Sequence, residues 1–440
     1  MFVILSIILL AATIALIWLY RIYFAGALPA APHAELLGTS TKSTSIFHQF
    51  LVNPAMLDDF KHDAILLCFE KVNRRKLIVE NGRRGYYSVD AQYAAFNIDR
   101  NLEQMTAKGL HEATRLVSST LNDPKPIVLT HWVETTPERH TIRYSAYKSI
   151  KGVDYNLPKA GLEQFEAVTT LVKNKLQTGS FTHLVIGCSG WNNYQDHSKS
   201  LYADWLSFTK AAAEDDKRGE DYRPLFIGFT WASRWITPGL SFFNKANDAD
   251  ELGMTHISTL LYQYLLPALD NTRVPVITIG HSFGGRVISR ANHSRFMQKG
   301  VDMSGWIDIE IDFQGAYPVT RFFEKGGSNG GLYTVDVPVK KHYMTCSEYD
   351  SAIKKPIWSV GYIGDNLSLT LLPRNPIAKN NFEFTSVDAT GRFNSLAHTK
   401  PKILVDGKAT ISKMGSKAAG AHNDVHDEAA GRFIWEILQR

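Results

Sequence analysis

Short apolar runs alternate with stretches of helical periodicity over most of the second half of the chain. The runs His183–Gly187, Pro224–Trp231, Val274–Ile279, Trp306–Phe313 and Lys341–Cys346 predict strands, several of them rich in Val, Ile and Phe and with little polar alternation. Between them, Gly161–Leu176 places Leu162, Phe165, Val168 and Leu171 or Val172 on one face of a helix. Residues 199–213, Thr255–Leu269, Arg286–Met297 and Asp424–Leu438 predict further helices. Strands that read as continuous apolar runs are covered on both faces. Strand and helix in alternation imply right-handed crossovers, so the expected architecture is α/β, a mainly parallel central sheet with helices on both faces.

The N-terminal third is less regular. Ala64–Phe69, Lys76–Val79 and Thr141–Tyr147 read as strands, and Tyr93–Leu121 has helical spacing at Met105, Leu110 and Leu116. Residues 46–160 are expected to be an N-terminal elaboration that includes early strands of the sheet, with residues 161–440 as the main core. Residues 232–253 hold Trp235, Phe242 and Phe243 among Gly, Pro and Asn, the composition of a cap or lid loop. Residues 324–332 are glycine-rich and read as a flexible excursion.

Met1–Tyr20 has no charged side chain, with Trp18 and Tyr20 near its end and Arg21 just after. About 20 apolar residues span a hydrocarbon core of roughly 30 Å as a helix, and Trp and Tyr suit the headgroup zone. The alternative is a cleaved signal peptide, for which Ala25-Gly26-Ala27 is an acceptable site. The length of the apolar run, the lack of a preceding Lys or Arg, and the position of Arg21 favour an uncleaved single-pass membrane anchor over residues 1–24. Residues 25–45, rich in Ala, Pro, Ser and Thr, then form a linker.

With 440 residues and 44% hydrophobic content the chain can bury a large core, which removes disorder as the default. The net charge is +5, from 48 basic and 43 acidic residues that are interspersed along the chain, so no nucleic-acid groove is suggested. Cys68, Cys188 and Cys346 are odd in number and far apart, and read as buried thiols rather than a disulfide framework or metal site.

Chemistry enters at Gly280-His281-Ser282-Phe283-Gly284, followed by Gly285. A G-x-S-x-G pentad is short, but this one directly follows a β-branched strand and precedes a helix with apolar Val287, Ile288 and Ala291. That strand–turn–helix setting is what a nucleophile elbow requires. The reversal would hold Ser282 in a strained backbone conformation, with Gly280 and Gly284 needed to avoid clashes. The helix N-terminus would aim free N–H groups at the site, with the Phe283 amide as one oxyanion donor. An ordinary β-turn-α connection with a passive serine is the alternative. No Gly-Lys-Ser/Thr follows, so a phosphate-binding loop is excluded.

On these residues the chain resembles the α/β-hydrolase superfamily over roughly residues 160–440. It is most similar to bacterial members whose third strand ends His-Gly-Trp/Tyr-Asn and whose fourth ends Trp-Pro-Ser. Here those places read Ser189-Gly190-Trp191-Asn192 and Trp231-Ala232-Ser233, each one residue different. The resemblance implies that Trp191 supplies the second oxyanion N–H, and that Ser189 changes how the loop is braced. It also implies a Ser, then acid, then His chain order. For the acid, the loop Ser347–Ala352 favours Asp350, with Glu348 and Asp312 as rivals. For the base, His422 in Gly420-Ala421-His422-Asn423-Asp424-Val425 is favoured over His426 and His398. His281 points the wrong way for a base and reads as a packing residue. The expected activity is hydrolysis of a small-molecule or lipid ester or thioester through Ser282, His422 and Asp350, without metal or organic cofactor. Acyl transfer, peptide cleavage and a non-catalytic membrane-tethered interaction domain are the alternatives on the same fold.

Overall fold

A computed structural model of the protein describes residues 2–24, 49–71, 78–80, 83–85, 127–145, 157–216, 221–233, 242–270, 272, 274–295, 304–322, 338–347, 350, 352, 362–364, 383–388, 421–423 and 425–439. Its strands are β1 (Ala64–Lys71), β2 (Ile78–Glu80), β3 (Arg83–Gly85), β4 (Ile127–Thr135), β5 (His140–Ser145), β6 (His183–Cys188), β7 (Pro224–Trp231), β8 (Val276–His281), β9 (Ile307–Phe313), β10 (Val339–Cys346) and β11 (Glu383–Asp388). Nine of these form one sheet in the order β11-β10-β9-β8-β6-β7-β1-β4-β5, and β2 pairs only with β3. Every neighbouring pair is parallel except β1 with β4 and β4 with β5, so β4 alone runs against the rest. The protein is therefore α/β with a mostly parallel sheet.

The helices are α1 (Phe2–Phe24), α2 (Leu157–Thr178), α3 (Gln195–Asp215), a long helix α4 that begins at Phe242 and runs to Leu269, α5 (Phe283–His293) and α6 (Glu428–Leu438). The strand periodicity of two sorts side chains onto two faces. Leu67, Phe69, Ile186 and Phe229 meet Phe165 and Val168 of α2, Leu252 and Leu261 of α4, and Val287 and Ile288 of α5. Leu66, Cys68, Val185 and Ile279 meet Leu201, Tyr202 and Trp205 of α3 and Phe433 and Ile434 of α6. Burial of both faces explains why β6, β7 and β8 read as apolar runs.

Several details differ from the sequence expectation. The segment expected to be a cap or lid loop contains helix from Phe242 onward, while residues 234–241 lie outside the described residues. Its sequence Phe-Phe-Asn-Lys-Ala-Asn-Asp-Ala-Asp-Glu-Leu is largely polar for a buried helix. The polar groups are buried in pairs instead: Lys245 Nζ lies 3.0 Å from Asp248 Oδ2, and Glu251 accepts the Ile127 N–H at 2.9 Å. The helix continues through two π-helical stretches, Gly253–Ile257 and Leu260–Leu265. Strand β4 was not foreseen, since Thr130, His131, Glu134 and Thr135 interrupt its apolar pattern. The helical spacing over Tyr93–Leu121, the glycine-rich 324–332 and the linker lie outside the described residues.

Helix α1 is 23 residues long, and its described side chains, residues 4–17, are all exposed. Among the described residues no helix is long and apolar enough to cross a membrane. The membrane-spanning helix expected over residues 1–24 is thus not found among the described residues.

Candidate active site

The site is built at the C-terminal end of β8. Ser282 is the one residue between β8 and α5, and its backbone sits at φ 56°, ψ −121°. A side-chain-bearing residue rarely adopts a positive φ, and such strain persists only where the surroundings impose it. Here the Ser282 N–H donates to the Phe313 carbonyl at 3.0 Å, and its own carbonyl accepts from Ala316 N at 2.9 Å and Arg286 N at 3.3 Å. The glycines make room for the bend. A Cβ on Gly280 would lie 2.4 Å from Gly285 Cα, and one on Gly284 only 2.0 Å from the Cys188 carbonyl oxygen. Neither neighbour is a flexible side chain that could swing away. Gly284→Ala is accordingly expected to destabilise the protein by about 3 kcal/mol, since overpacking against rigid backbone forces shifts of that cost. An unchanged urea midpoint for the variant would mean that the bend has slack.

Asp350 and His422 meet across the chain. Asp350 follows β10, is fully buried, and accepts the Ala352 N–H at 3.1 Å. Its Oδ2 lies 2.7 Å from His422 Nδ1, joining residues 72 apart in sequence. His422 occupies a single helical turn, Ala421–Asn423, just before α6. With Nδ1 committed to Asp350, Nε2 is the ring nitrogen left to accept a proton. The His422 ring packs 4.9 Å, centre to centre, from the ring of His281, the residue preceding Ser282. Ser282 keeps 6% of its surface and His422 the same. Among the described residues no hydrogen bond joins Ser282 Oγ to His422; such bonds are often long until substrate is bound.

The rivals are elsewhere. His426 is exposed and pairs with Asp204 of α3, Nδ1 to Oδ2 at 2.6 Å. Asp312 is buried beneath α5 and makes no contact with His422. Glu348 and His398 lie outside the described residues.

Ser189-Gly190-Trp191 runs directly against the bend: a Cβ on Gly190 would lie 2.8 Å from Ser282 Cβ. Phe283 opens α5, so its amide has no partner within the helix and, among the described residues, makes no hydrogen bond. The segment leading into Trp191 and the start of α5 at Phe283 thus both adjoin Ser282. Their side chains meet Phe242, with ring centres 5.9 Å (Trp191–Phe242), 5.1 Å (Phe242–Phe283) and 6.2 Å (Trp191–Phe283) apart.

Ser189 itself is braced on each of its polar groups. Ser189 N donates to Tyr202 Oη at 3.0 Å, its Oγ lies 2.6 Å from Ser198 Oγ, and its carbonyl accepts from Trp231 Nε1 at 2.9 Å. Asn193 N donates to Ser233 Oγ at 3.1 Å and Asn193 Nδ2 to the Gly190 carbonyl at 3.2 Å. Ser198 and Tyr202 lie one turn apart on α3, and their role was not foreseen. Their four-residue spacing was the available signal, but it names no partner.

Behind α5, Glu310, Asp312 and His342 bring ligand atoms within 4.8 Å of one another and are the described trio with the spacing for a cation. Protein donors already cover most of that oxygen. Ser289 Oγ lies 2.7 Å from Glu310 Oε1 and 2.9 Å from Asp312 Oδ2, Asn292 Nδ2 donates to Glu310 Oε2, and His342 Nε2 lies 3.1 Å from Asp312 Oδ2. One hydroxyl hydrogen is thus shared between two carboxylate oxygens, which favours a proton on one of the carboxyls. Burial, helped by the neighbouring Asp312 charge, pushes the Glu310 carboxyl up to about 7. A free glutamate ionises near 4.5, so between those values the native state binds more protons than the unfolded chain. Stability is therefore expected to decline as pH rises from about 4.5 to 7, and Glu310→Gln should flatten that decline. Chemical denaturation across the window checks this, and an equally steep decline in the variant would assign the effect to other groups.

The three cysteines are free and buried, and burial pushes the Cys68 and Cys188 thiols up, away from reactivity. No protein-family model matches the chain, and no curated protein matches it at significant similarity.

Proposed function

We propose that the protein is a serine hydrolase of the α/β-hydrolase fold that cleaves carboxylic ester or thioester bonds. The observation that carries this reading is the 2.7 Å pairing of Asp350 with His422 beside Ser282, which is held at positive φ between β8 and α5. Acid–imidazole pairs occur elsewhere in the protein, as at His426 and Asp204, but this one alone among the described residues adjoins a serine held at positive φ. The pairing follows the arrangement that activates a serine hydroxyl.

In this mechanism Ser282 Oγ attacks the acyl carbon while His422 Nε2 takes its proton. Asp350 holds the Nδ1–H tautomer and stabilises the imidazolium. The carbonyl π electrons move onto oxygen, where the Phe283 and Trp191 amides receive the developing charge. The tetrahedral adduct collapses, the C–O or C–S bond to the leaving group breaks, and His422 returns its proton to the departing atom. Water, deprotonated by His422, then attacks the acyl-serine; the acyl–Oγ bond breaks, His422 returns the proton to Ser282 Oγ, and the acid leaves.

Phe242, Trp191 and Phe283 present aromatic surface beside the proposed oxyanion site, which suits an apolar acyl group. The apolar run Met1–Tyr20 supports a single-pass membrane anchor, and α1 comes near the start of α4, the helix that begins with Phe242. A lipid ester reached from the membrane surface fits both features. The test is labelling of the full-length protein in membranes with a fluorophosphonate. Wild type should label and Ser282→Ala should not, and turnover of an acyl-chain panel with water and alcohol acceptors then separates hydrolysis from transfer. Labelling that survives the substitution sinks the proposal.

A further inference from the structure

We propose that His281 is a positioning residue for this reaction, holding the main chain of His422 so that its imidazole stays in line between Asp350 and Ser282. The inference rests on the hydrolase reading but needs nothing from the substrate. His281 Nε2 lies 2.7 Å from the His422 carbonyl oxygen. A carbonyl only accepts, so Nε2 carries the proton and the neutral ring leaves Nδ1 as a bare lone pair. That Nδ1 is buried and has no hydrogen-bond partner among the described residues. An orphaned buried acceptor costs free energy, and the ring is kept although an apolar side chain of similar size would avoid that cost. What the ring supplies in return is the N–H aimed at His422.

The geometry gives that N–H a specific effect. The catalytic ring is tied at Nδ1 by Asp350, which sets its rotation. The backbone of the same residue belongs to a three-residue turn and is tied by His281. Because His281 is the last residue of β8 and Ser282 follows it directly, nucleophile and tie share one rigid strand end. The approach of base to nucleophile is then set by that end rather than by the long chain between them. The ring also stays uncharged: burial, and then the neighbouring His422, hold His281 well below the ordinary histidine value. A neutral neighbour 4.9 Å away adds no repulsion when His422 becomes an imidazolium.

Three substitutions in the full-length protein, purified in detergent, test this with a short-chain p-nitrophenyl ester. His281→Leu keeps bulk without a donor, His281→Gln places an amide N–H near the position of Nε2, and His281→Asn keeps polarity but falls short of the carbonyl. His281→Leu and His281→Asn should lose about 10- to 100-fold in kcat, the scale of a misplacement near 1 Å, with KM changed less than about twofold. His281→Gln should recover to within about threefold of wild type. Equal loss in all three variants would reduce His281 to packing, and full activity in His281→Asn would remove it from the mechanism. Ser282→Ala in the same assay separates the two ideas. If it stays active the hydrolase reading fails, whereas inactivity there with unaffected His281 variants overturns only the positioning role.

Discussion

Ser282→Ala should lower kcat for ester hydrolysis by about 10⁴- to 10⁶-fold, the range found when the nucleophile of a serine–histidine–acid unit is removed in other enzymes. The expectation follows from what remains. Asp350 and His422 would still pair, and the Phe283 and Trp191 amides would still face the reacting carbonyl, but no covalent route would be open. KM for a short-chain ester should change little, because on the proposed reading the acyl group rests on the aromatic surface of Trp191, Phe242 and Phe283 rather than on the hydroxyl. Stability should hold, since Ser282 is fixed by its backbone hydrogen bonds to Phe313, Ala316 and Arg286, none of which uses Oγ. Alanine at φ 56° carries the same backbone strain as serine, so the substitution adds none. Steady-state kinetics with thermal melting on the same preparations reads both halves. A variant that melts normally and keeps more than about 1% of wild-type kcat would show that another group performs the chemistry.

The parts of the fold that were legible in the sequence are those where local pattern and tertiary burial agree. Strands β6, β7 and β8 are buried on both faces and are written as apolar runs, so their positions were readable within a few residues. The bend at Ser282 was readable too, because its glycines are demanded by contacts within a few residues and with one neighbouring strand. What escaped was polar sequence made buriable by distant partners. Lys245, Asp248, Asp250 and Glu251 look like a solvated loop, yet Asp250 takes Arg286 through two contacts, 2.9 Å to Nε and 2.7 Å to Nη2, from a helix 36 residues on. Strand β4 hid behind Thr130, His131 and Glu134 for the same reason, with His131 Nε2 lying 3.0 Å from Gln195 Nε2 of α3. Periodicity reports which side chains avoid water and carries no information about which polar groups have found each other.

The same division applies within the site. Ser282 announces itself locally, whereas Asp350 and His422 came from chain order and resemblance, since nothing around either residue distinguishes it from a turn or surface group. His281 was read as packing because it points the wrong way for a base; its contact with the His422 carbonyl leaves no mark in the sequence, since any residue at position 422 would offer one. The bracing of Ser189 by Ser198, Tyr202 and Trp231 was equally silent. It gives a physical account of how the loop is held where the resembled proteins carry histidine: three hydrogen bonds from two elements fix the backbone on which Trp191 rides.

Asp350→Asn should leave the protein folded and lower kcat by about 10⁴-fold, as the equivalent change does in a serine protease. The carboxylate oxygen 2.7 Å from His422 Nδ1 would become, in one amide orientation, an N–H donor that meets the same nitrogen. An imidazole facing a donor keeps its lone pair on Nδ1 and moves its hydrogen to Nε2, leaving no acceptor for the Ser282 proton. In the other orientation the amide oxygen preserves the tautomer but supplies no negative charge to the imidazolium. The Ala352 N–H contact to Oδ1, at 3.1 Å, decides between them, because it rewards an oxygen at that position and so turns the amide nitrogen toward His422. The loss should therefore be large and confined to kcat, with KM and the melting temperature close to wild type. Since deprotonating Ser282 no longer has a competent base, hydroxide can partly substitute, and the residual rate should climb with pH above 8 where the wild-type rate has levelled. If Asp350→Asn instead keeps a tenth or more of wild-type kcat, the orienting charge comes from another carboxylate, and the 2.7 Å contact is a structural pairing in a site whose acid is a different residue.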